Sequence, residues 1–302
     1  MKLLAKLFML IGLLYSTNKL FAQTDTVYIP SDSLKYAFHS HKQRTPIYVR
    51  QQYEVDEKEL FRIIDAAPSF AVFKDVYFVT GIPLNTSINS KTADAMFQIS
   101  FRQRLTKSHL PFNTFLYLTY TQKSFWDIYS SSSPFRDNNY NPGIGLGRYI
   151  IKDRKLLGGA FLGIEHESNG RDSIASRSWN LISFSAKYFF NLRLKLGVKL
   201  WIPFMISDLN RDIVDYRGLG SITANYTSIN NRWWVSAEVT PRKGWGNVNT
   251  NVGIGYRVSK ASNQYLFLRF FNGTGDSQLD YTKYNLNIRF GICIKPDFYS
   301  VY

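Results

Sequence analysis

From about residue 76 onward, apolar and polar side chains take turns along the chain. Phe97, Ile99 and Phe101 alternate with Gln98, Ser100 and Arg102. Leu192, Leu194, Leu196, Val198, Leu200 and Ile202 alternate with Arg193, Lys195, Lys199 and Trp201. Tyr284, Leu286, Ile288, Phe290, Ile292 and Ile294 alternate with Asn285, Asn287, Arg289 and Cys293. A period of two puts one side-chain class on each face of an extended strand. The pattern predicts about twelve strands, near 76–82, 94–104, 112–123, 141–151, 157–168, 178–189, 192–202, 217–227, 232–241, 247–258, 264–272 and 283–295.

These runs are too long for the strands of a soluble sandwich, which average about five or six residues. They match a sheet that shows its apolar face to lipid. Such a sheet needs roughly 9–11 residues per strand, a polar inside and no free edge. The expected fold is therefore all-β, a twelve-stranded antiparallel transmembrane β-barrel of the outer membrane. An even strand count places both termini in the periplasm, and the aromatic stretch Phe298–Tyr302 fits an interface girdle.

The segments before residue 76 read differently. Lys2 and Lys6 precede an apolar core, Leu7 to Tyr15, too short to span a bilayer as a helix, and Ala22 offers a cleavage site. Residues 1–22 are expected to be an export signal. Residues 23–75 hold polar turns such as Pro30–Ser33 and a helix from Asp56 to Ala67, with Leu60, Ile63, Ile64 and Ala67 on one face and Pro68 ending it. This leader is expected to lie in the periplasm, as a plug-like segment of unassigned role, and residues 76–302 to form the barrel. His39 and His41 lack a third ligand nearby, and a polar loop explains them better than a metal site.

Composition adds less. The 302 residues are 45% apolar and 16% aromatic, and the mean hydropathy of −0.21 reads as soluble only because alternation averages two unlike faces. The formal charge is +15, falling by three to +12 when Lys2, Lys6 and Lys19 leave with the signal. An exported chain does not meet nucleic acid, so anionic lipid headgroups are the expected partner of this excess. The single Cys293 excludes an internal disulfide and a cysteine metal cluster. The glycine runs Gly143–Gly147 and Gly253–Gly255 precede no helix; small residues inside a narrow barrel account for them, not a phosphate loop.

Counting parity gives an orientation. If the first strand rises from the periplasm, the strand at 157–168 also rises, and the loop at 169–177 emerges outside. On that strand Ala160, Leu162, Ile164, His166 and Ser168 share a face; on the next, Asn180, Ile182, Phe184, Ala186 and Tyr188 do. Three polar side chains thus sit on the lipid-facing side of two neighbouring strands at the outer rim, where a polar group is costly unless satisfied or used. Serine is a weak nucleophile until a histidine takes its proton, and that histidine needs a third group to fix its tautomer. Facing side chains of paired strands lie about 4.5–5.5 Å apart, within reach of such contacts. Two readings stand at this point: a catalytic constellation, or a hydrogen-bonded polar cluster at the rim.

The same residues carry a resemblance. His166-Glu167-Ser168-Asn169-Gly170-Arg171, Ser176-Arg177-Ser178-Trp179-Asn180, Tyr120–Ser124, Ser132–Arg136 and Asn139-Tyr140 are similar to the signature of the outer membrane phospholipase A family. The match runs in order from about residue 95 to the end. It implies a twelve-stranded barrel and a calcium-dependent lipase, activated by dimerisation, that cleaves acyl esters of phospholipids at both positions and of lysophospholipids. By position, Ser168 would be the nucleophile, His166 the general base and acid, and Asn180 the orienting residue. Ca²⁺ would take the Arg171 carbonyl, the Ser176 hydroxyl and the carbonyl contributed by Ser132 in a second subunit, with Asp208 at a secondary site. Gln122, on the lipid face with Leu116, Leu118 and Tyr120, would hydrogen-bond across the homodimer. The chain departs from the family pattern at Glu167, which points to the opposite face from His166 and Ser168, and in the leader at 23–75. Two rivals remain: a passive barrel with inward Arg193, Lys195, Arg269 and Arg289 filling it, and a lipopolysaccharide deacylase.

Overall fold

The computed structural model describes residues 53–54, 57–106, 109–191, 193–259 and 262–296. Residues 1–22, expected to be an export signal, His39, His41 and Phe298–Tyr302 lie outside the described residues. In chain order the elements are β1 (Tyr53–Glu54), α1 (Glu57–Ala66), β2 (Phe70–Val72), β3 (Val76–Pro83), β4 (Asp94–Arg104), β5 (Thr114–Trp126), β6 (Phe135–Lys152), β7 (Lys155–Ser168), β8 (Ser178–Phe189), β9 (Leu194–Ile206), α2 (Ile213–Arg217), β10 (Gly220–Thr227), β11 (Trp233–Pro241), β12 (Val248–Arg257), β13 (Gln264–Gly273) and β14 (Asn285–Ile294).

Each strand from β3 to β14 pairs antiparallel with its sequence neighbours, and β14 returns to β3, with Ile294 opposite Val76 and Arg289 opposite Gly81. The twelve-stranded sheet is closed, so no edge is left unpaired, as a backbone in lipid requires. The burial pattern is the reverse of a protein in water. Leu118, Ile144, Leu162, Ile164, Phe184, Leu200, Ile202 and Phe290 are exposed on the outer wall, whereas Arg102, Arg104, Thr121, Ser183, Arg269 and Arg289 are buried inside. All twelve expected strands are present.

Two strand ends differ from the sequence pattern by four residues or more, and Arg217, expected to open a strand, closes α2 instead. β6 begins at Phe135 rather than near 141, because Asp137 and Asn139 point inward and are buried there. β9 runs past Ile202 to Ile206, carrying Pro203 inside it, and its ladder with β8 shifts register between Asn180 and Leu181. A bulge lets a strand hold a proline that cannot donate to the ladder.

The loops at one end are 84–93, 127–134, 169–177, 207–219, 242–247 and 274–284; those at the other include the tight turn at 153–154 and the segments 190–193 and 228–232. These are called the long-loop and short-turn ends. Residues 53–72 join the barrel at the short-turn end. β1 pairs with β7, β2 pairs with β4, and α1 buries Leu60 and Ile64 among Phe115, Tyr117, Tyr149, Leu156, Phe161 and Phe189. These six are inward positions of β5 to β8, so the helix packs its apolar face onto the inside of the wall. Arg104 donates to the carbonyls of Ile64 (2.6 Å) and Asp65 (3.3 Å), satisfying the last turn of α1. Arg269 and Arg289 are buried in the lumen, and a cavity of about 830 Å³ remains there, lined in part by Arg193, Lys195 and Arg269. The glycines of β6 and β12 face inward; a Cβ on Gly145 would lie 2.7 Å from the Phe161 ring, and one on Gly253 2.9 Å from Phe267.

Candidate active site

The tip of the β7–β8 hairpin sets three consecutive cross-strand pairs: His166 with Asn180, Glu167 with Trp179, and Ser168 with Ser178. Their alternation follows the pleat. His166, Ser168 and Asn180 fall on the outer wall above the exposed Ile164, Ile182 and Leu162, while Glu167 and Trp179 turn into the lumen.

His166 Nδ1 lies 2.9 Å from Asn180 Oδ1. A carbonyl oxygen only accepts, so this contact places the ring proton on Nδ1 and leaves Nε2 as the basic nitrogen. Ser168 stands two residues further along the same face, about 6.8 Å away by strand rise. Among the described residues its hydroxyl has no hydrogen-bond partner. The strand is held from behind: Asn141 Nδ2 donates to the His166 carbonyl at 3.1 Å.

The luminal side of the same two strands is densely paired. Glu167 Oε2 accepts from Trp179 Nε1 at 3.0 Å, and its Oε1 accepts from Arg217 Nη1 of α2 at 2.9 Å. Two residues deeper, Glu165 accepts from Lys199 Nζ at 2.7 Å and from the Ser183 hydroxyl. Glu167, the departure from the family pattern, therefore lies off the face that carries His166 and Ser168.

The loop after Ser168 is shaped by Asn169, which sequence reasoning passed over except as part of a motif. Its buried Oδ1 accepts from the backbone of Arg177 at 2.9 Å and of Arg171 at 3.4 Å, its Nδ2 donates to the Ala175 carbonyl at 2.8 Å, and its own N–H donates to the Arg177 carbonyl at 3.0 Å. Gly170 follows with φ +64, and a Cβ there would come 2.7 Å from the Tyr140 ring, so only glycine fits. Asn210 does similar work on the far side: it donates to and accepts from the backbone of Ser178, at 3.1 and 3.0 Å. A short amide beside a strand end signals a turn; that Asn210 closes on Ser178 has no local signal.

Arg171 and Ser176 lie at the two shoulders of this loop. The Arg171 carbonyl and the Ser176 hydroxyl accept no hydrogen bond among the described residues, and neither does the Ser132 carbonyl in the exposed 127–134 loop. No group of three His, Cys, Asp or Glu side chains converges among the described residues. What the Arg171 carbonyl and Ser176 hydroxyl offer a cation is neutral oxygen, which suits Ca²⁺ of modest affinity. Asp208 is exposed and its carboxylate is taken by Arg211, at 2.7 Å to Nη2 and 3.0 Å to Nε. Gln122 finds partners within its own strand: its Oε1 accepts from Tyr120 at 3.0 Å and its Nε2 donates to Ser124 at 3.0 Å.

A family model described as Phospholipase A1 matches residues 79–294, most of the barrel. The chain belongs to the phospholipase A1 family. It is 31% identical over 225 residues to the phospholipase A1 of Salmonella typhimurium, covering 71% of this chain and 74% of that protein. To the Escherichia coli K12 phospholipase A1 it is 30% identical over 221 residues, covering 70% and 72%. Among solved structures, outer membrane phospholipase A from Escherichia coli superposes with a TM-score of 0.67 at 26% identity, over 76% of this chain and all of that one. The Salmonella typhi outer membrane phospholipase, solved as a dimer with bound calcium, gives 0.64 at 25%, over 86% and 96%. Family membership makes this barrel an outer-membrane phospholipase, an ester hydrolase, and not the rival passive barrel. β1, α1 and β2 precede the matched region.

Proposed function

We propose that the chain hydrolyses acyl esters of outer-leaflet phospholipids with Ser168 as nucleophile, His166 as base and acid, and Asn180 as orienting residue. The observation that carries this reading is the 2.9 Å contact between His166 Nδ1 and Asn180 Oδ1 on the lipid-facing wall, with Ser168 on the same face. Nε2 of His166 takes the proton of Ser168 as its oxygen attacks the ester carbonyl carbon. Collapse of the tetrahedral intermediate breaks the ester C–O bond. His166 returns the proton to the leaving alcohol, a lysophospholipid, and water then releases the fatty acid by the same two steps in reverse order. Substrate reaches the wall from the membrane, without passing through the lumen. The long-loop end faces outside in this reading, residues 1–22 direct export, and residues 23–75 lead into the barrel from the periplasm.

The Arg171 carbonyl and Ser176 hydroxyl would hold Ca²⁺ with the Ser132 carbonyl of a second copy. When bound there, Ca²⁺ supplies positive charge beside the developing oxyanion. The uncommitted oxygens of the loop support this, as does the calcium-bound dimer solved for the Salmonella typhi relative. Gln122 would bond across that dimer with its second amide N–H and second carbonyl lone pair, which Tyr120 and Ser124 leave available. Cleavage at both acyl positions and of lysophospholipids belongs to the same proposal.

The test is phospholipid hydrolysis by the purified chain in excess Ca²⁺ and in EDTA, with Ser168→Ala beside it. The expected loss in Ser168→Ala is on the order of 10⁴-fold or more, and EDTA should silence the parent chain. Full activity in Ser168→Ala overturns the assignment.

A further inference from the structure

We propose that Glu167 and Trp179 are positioning residues whose luminal hydrogen bond, braced by Arg217, keeps His166, Ser168 and Asn180 in register on the opposite face. This rests on the triad reading above and extends it to residues that never meet substrate.

The pair Glu167–Trp179 sits between the pair His166–Asn180 and the pair Ser168–Ser178. The last pairs of a hairpin are where a ladder opens most readily, and a slip of one residue between β7 and β8 would turn Asn180 away from the face that carries His166 and Ser168. The neighbouring strand holds this tip less regularly, its following loop gripping Ser178 through Asn210 and Ser207. On the β9 side the ladder shifts register at Asn180/Leu181, so Asn180 stands at an irregular point of its outer contact. Only the β7 side gives it a regular partner. There the 3.0 Å bond from Trp179 Nε1 to Glu167 Oε2 ties β8 to β7 by side chains as well as backbone.

Arg217 completes the device. Its guanidinium donates to Glu167 Oε1 at 2.9 Å and stacks 5.4 Å over the Trp179 ring. α2, which carries it, is fixed by Trp201 Nε1 donating to the Gly218 carbonyl at 2.9 Å. A buried ion pair adds little net stability over an apolar filling, and its best-attested use is to specify register. A charge placed between two catalytic residues but facing away from them fits that use.

The test measures kcat and KM for phospholipid hydrolysis, per folded molecule, in the full chain and in Glu167→Ala, Glu167→Gln, Trp179→Phe and the double variant Glu167→Ala/Trp179→Phe. Ser183→Ala, which removes a luminal contact to Glu165 deeper in the same two strands, is the control. Glu167→Ala and Trp179→Phe should each lower kcat about tenfold with KM nearly unchanged, since a misplaced base costs rate more than binding. The double variant should be no worse than either single one, because both remove the same bond. Glu167→Gln, whose amide oxygen still accepts from Trp179, should recover most of the rate, and Ser183→Ala should match the parent chain. Parent-like kcat in both Glu167→Ala and Trp179→Phe, or multiplying effects in the double variant, overturns the proposal. Should Trp179→Phe not fold, equal kcat in Glu167→Ala and Glu167→Gln overturns it. Activity surviving in Ser168→Ala is a separate outcome that sinks the triad reading itself.

Discussion

At the short-turn end, α1 lays Leu60 and Ile64 onto inward aromatic rings of β5 to β8. At the long-loop end, the loop at 274–284 folds inward and is gripped by charges. Asp276 is paired with Arg269 at 2.8 Å and Arg289 at 3.4 Å, Arg289 binds Asp94 at 2.7 Å, and Asp137 Oδ2 accepts from the backbone of Gln278 and Leu279, each at 3.0 Å. The apolar end is held by burial, which tolerates small shifts. The charged end is held by geometry, and its network continues toward the site: Arg136 binds Asp94 at 3.0 Å and gives its carbonyl to Arg171. The difference teaches that the end holding the candidate calcium loop is the one where position, and not only burial, is fixed.

The largest expected effect breaks the charged end. Asp276→Asn removes the carboxylate that two buried arginines share; Arg289 keeps Asp94, but Arg269 is left without a carboxylate among the described residues. Breaking such a pair costs about 3–5 kcal/mol. Urea unfolding in detergent should show that loss, and phospholipid hydrolysis should fall with it. A change below about 1 kcal/mol would mean that the network does not hold this end.

The same comparison predicts pH behaviour. Burial opposes ionisation of Asp276, but Arg269, Lys123 and Arg289 outweigh it and hold its carboxyl well below the usual carboxylate range. A depressed carboxyl contributes stability that is fully present above its unfolded pKa of about 3.9 and is lost as pH falls through the folded value. The contribution of Asp276 should therefore be flat from neutral pH down to about pH 5 and fade only in strong acid. The stability difference between the parent chain and Asp276→Asn, followed against pH, checks this; a difference that disappears by pH 6 contradicts it.

At the apolar end, Leu60→Ala should cost about 2–4 kcal/mol in the packing of α1. Because α1 precedes the family-matched residues 79–294 and lies at the end away from His166, kcat should stay at the parent value. Hydrogen exchange should rise across Glu57–Ala66 while the barrel strands stay protected. A matching fall in kcat would show that the two ends are coupled.

The sequence pattern carried the wall of this molecule further than its ends. Alternation sufficed for β7 and β8 because lipid outside and polar groups inside leave no ambiguity of face, so His166, Ser168 and Asn180 could be placed by parity. It failed at Asp137–Tyr140, which reads as a loop because Asp and Asn favour turns. There the polar residues are inward pegs whose partners, Gln278 and Leu279, lie far along the chain. It stopped β9 at Ile202 because Pro203 follows, and the bulge that accommodates the proline is invisible in one strand's sequence. Arg217 and Asn210 escaped for the same reason: their partners, Glu167 and Ser178, are set by which loops fold over the hairpin tip.

The smallest effect tests the loosest part of the site. Asp208 is exposed and paired with an equally exposed Arg211 three residues on. Such pairs are worth under about 0.5 kcal/mol, so Asp208→Asn should leave unfolding unchanged, in contrast to Asp276→Asn. As a secondary calcium ligand, however, its carboxylate would contribute charge that an amide lacks. Half-maximal activation by Ca²⁺ should then move to a concentration roughly two- to fivefold higher, with the rate at saturating Ca²⁺ unchanged. An activation curve identical to the parent's removes Asp208 from the calcium chemistry and leaves it as one half of a surface ion pair.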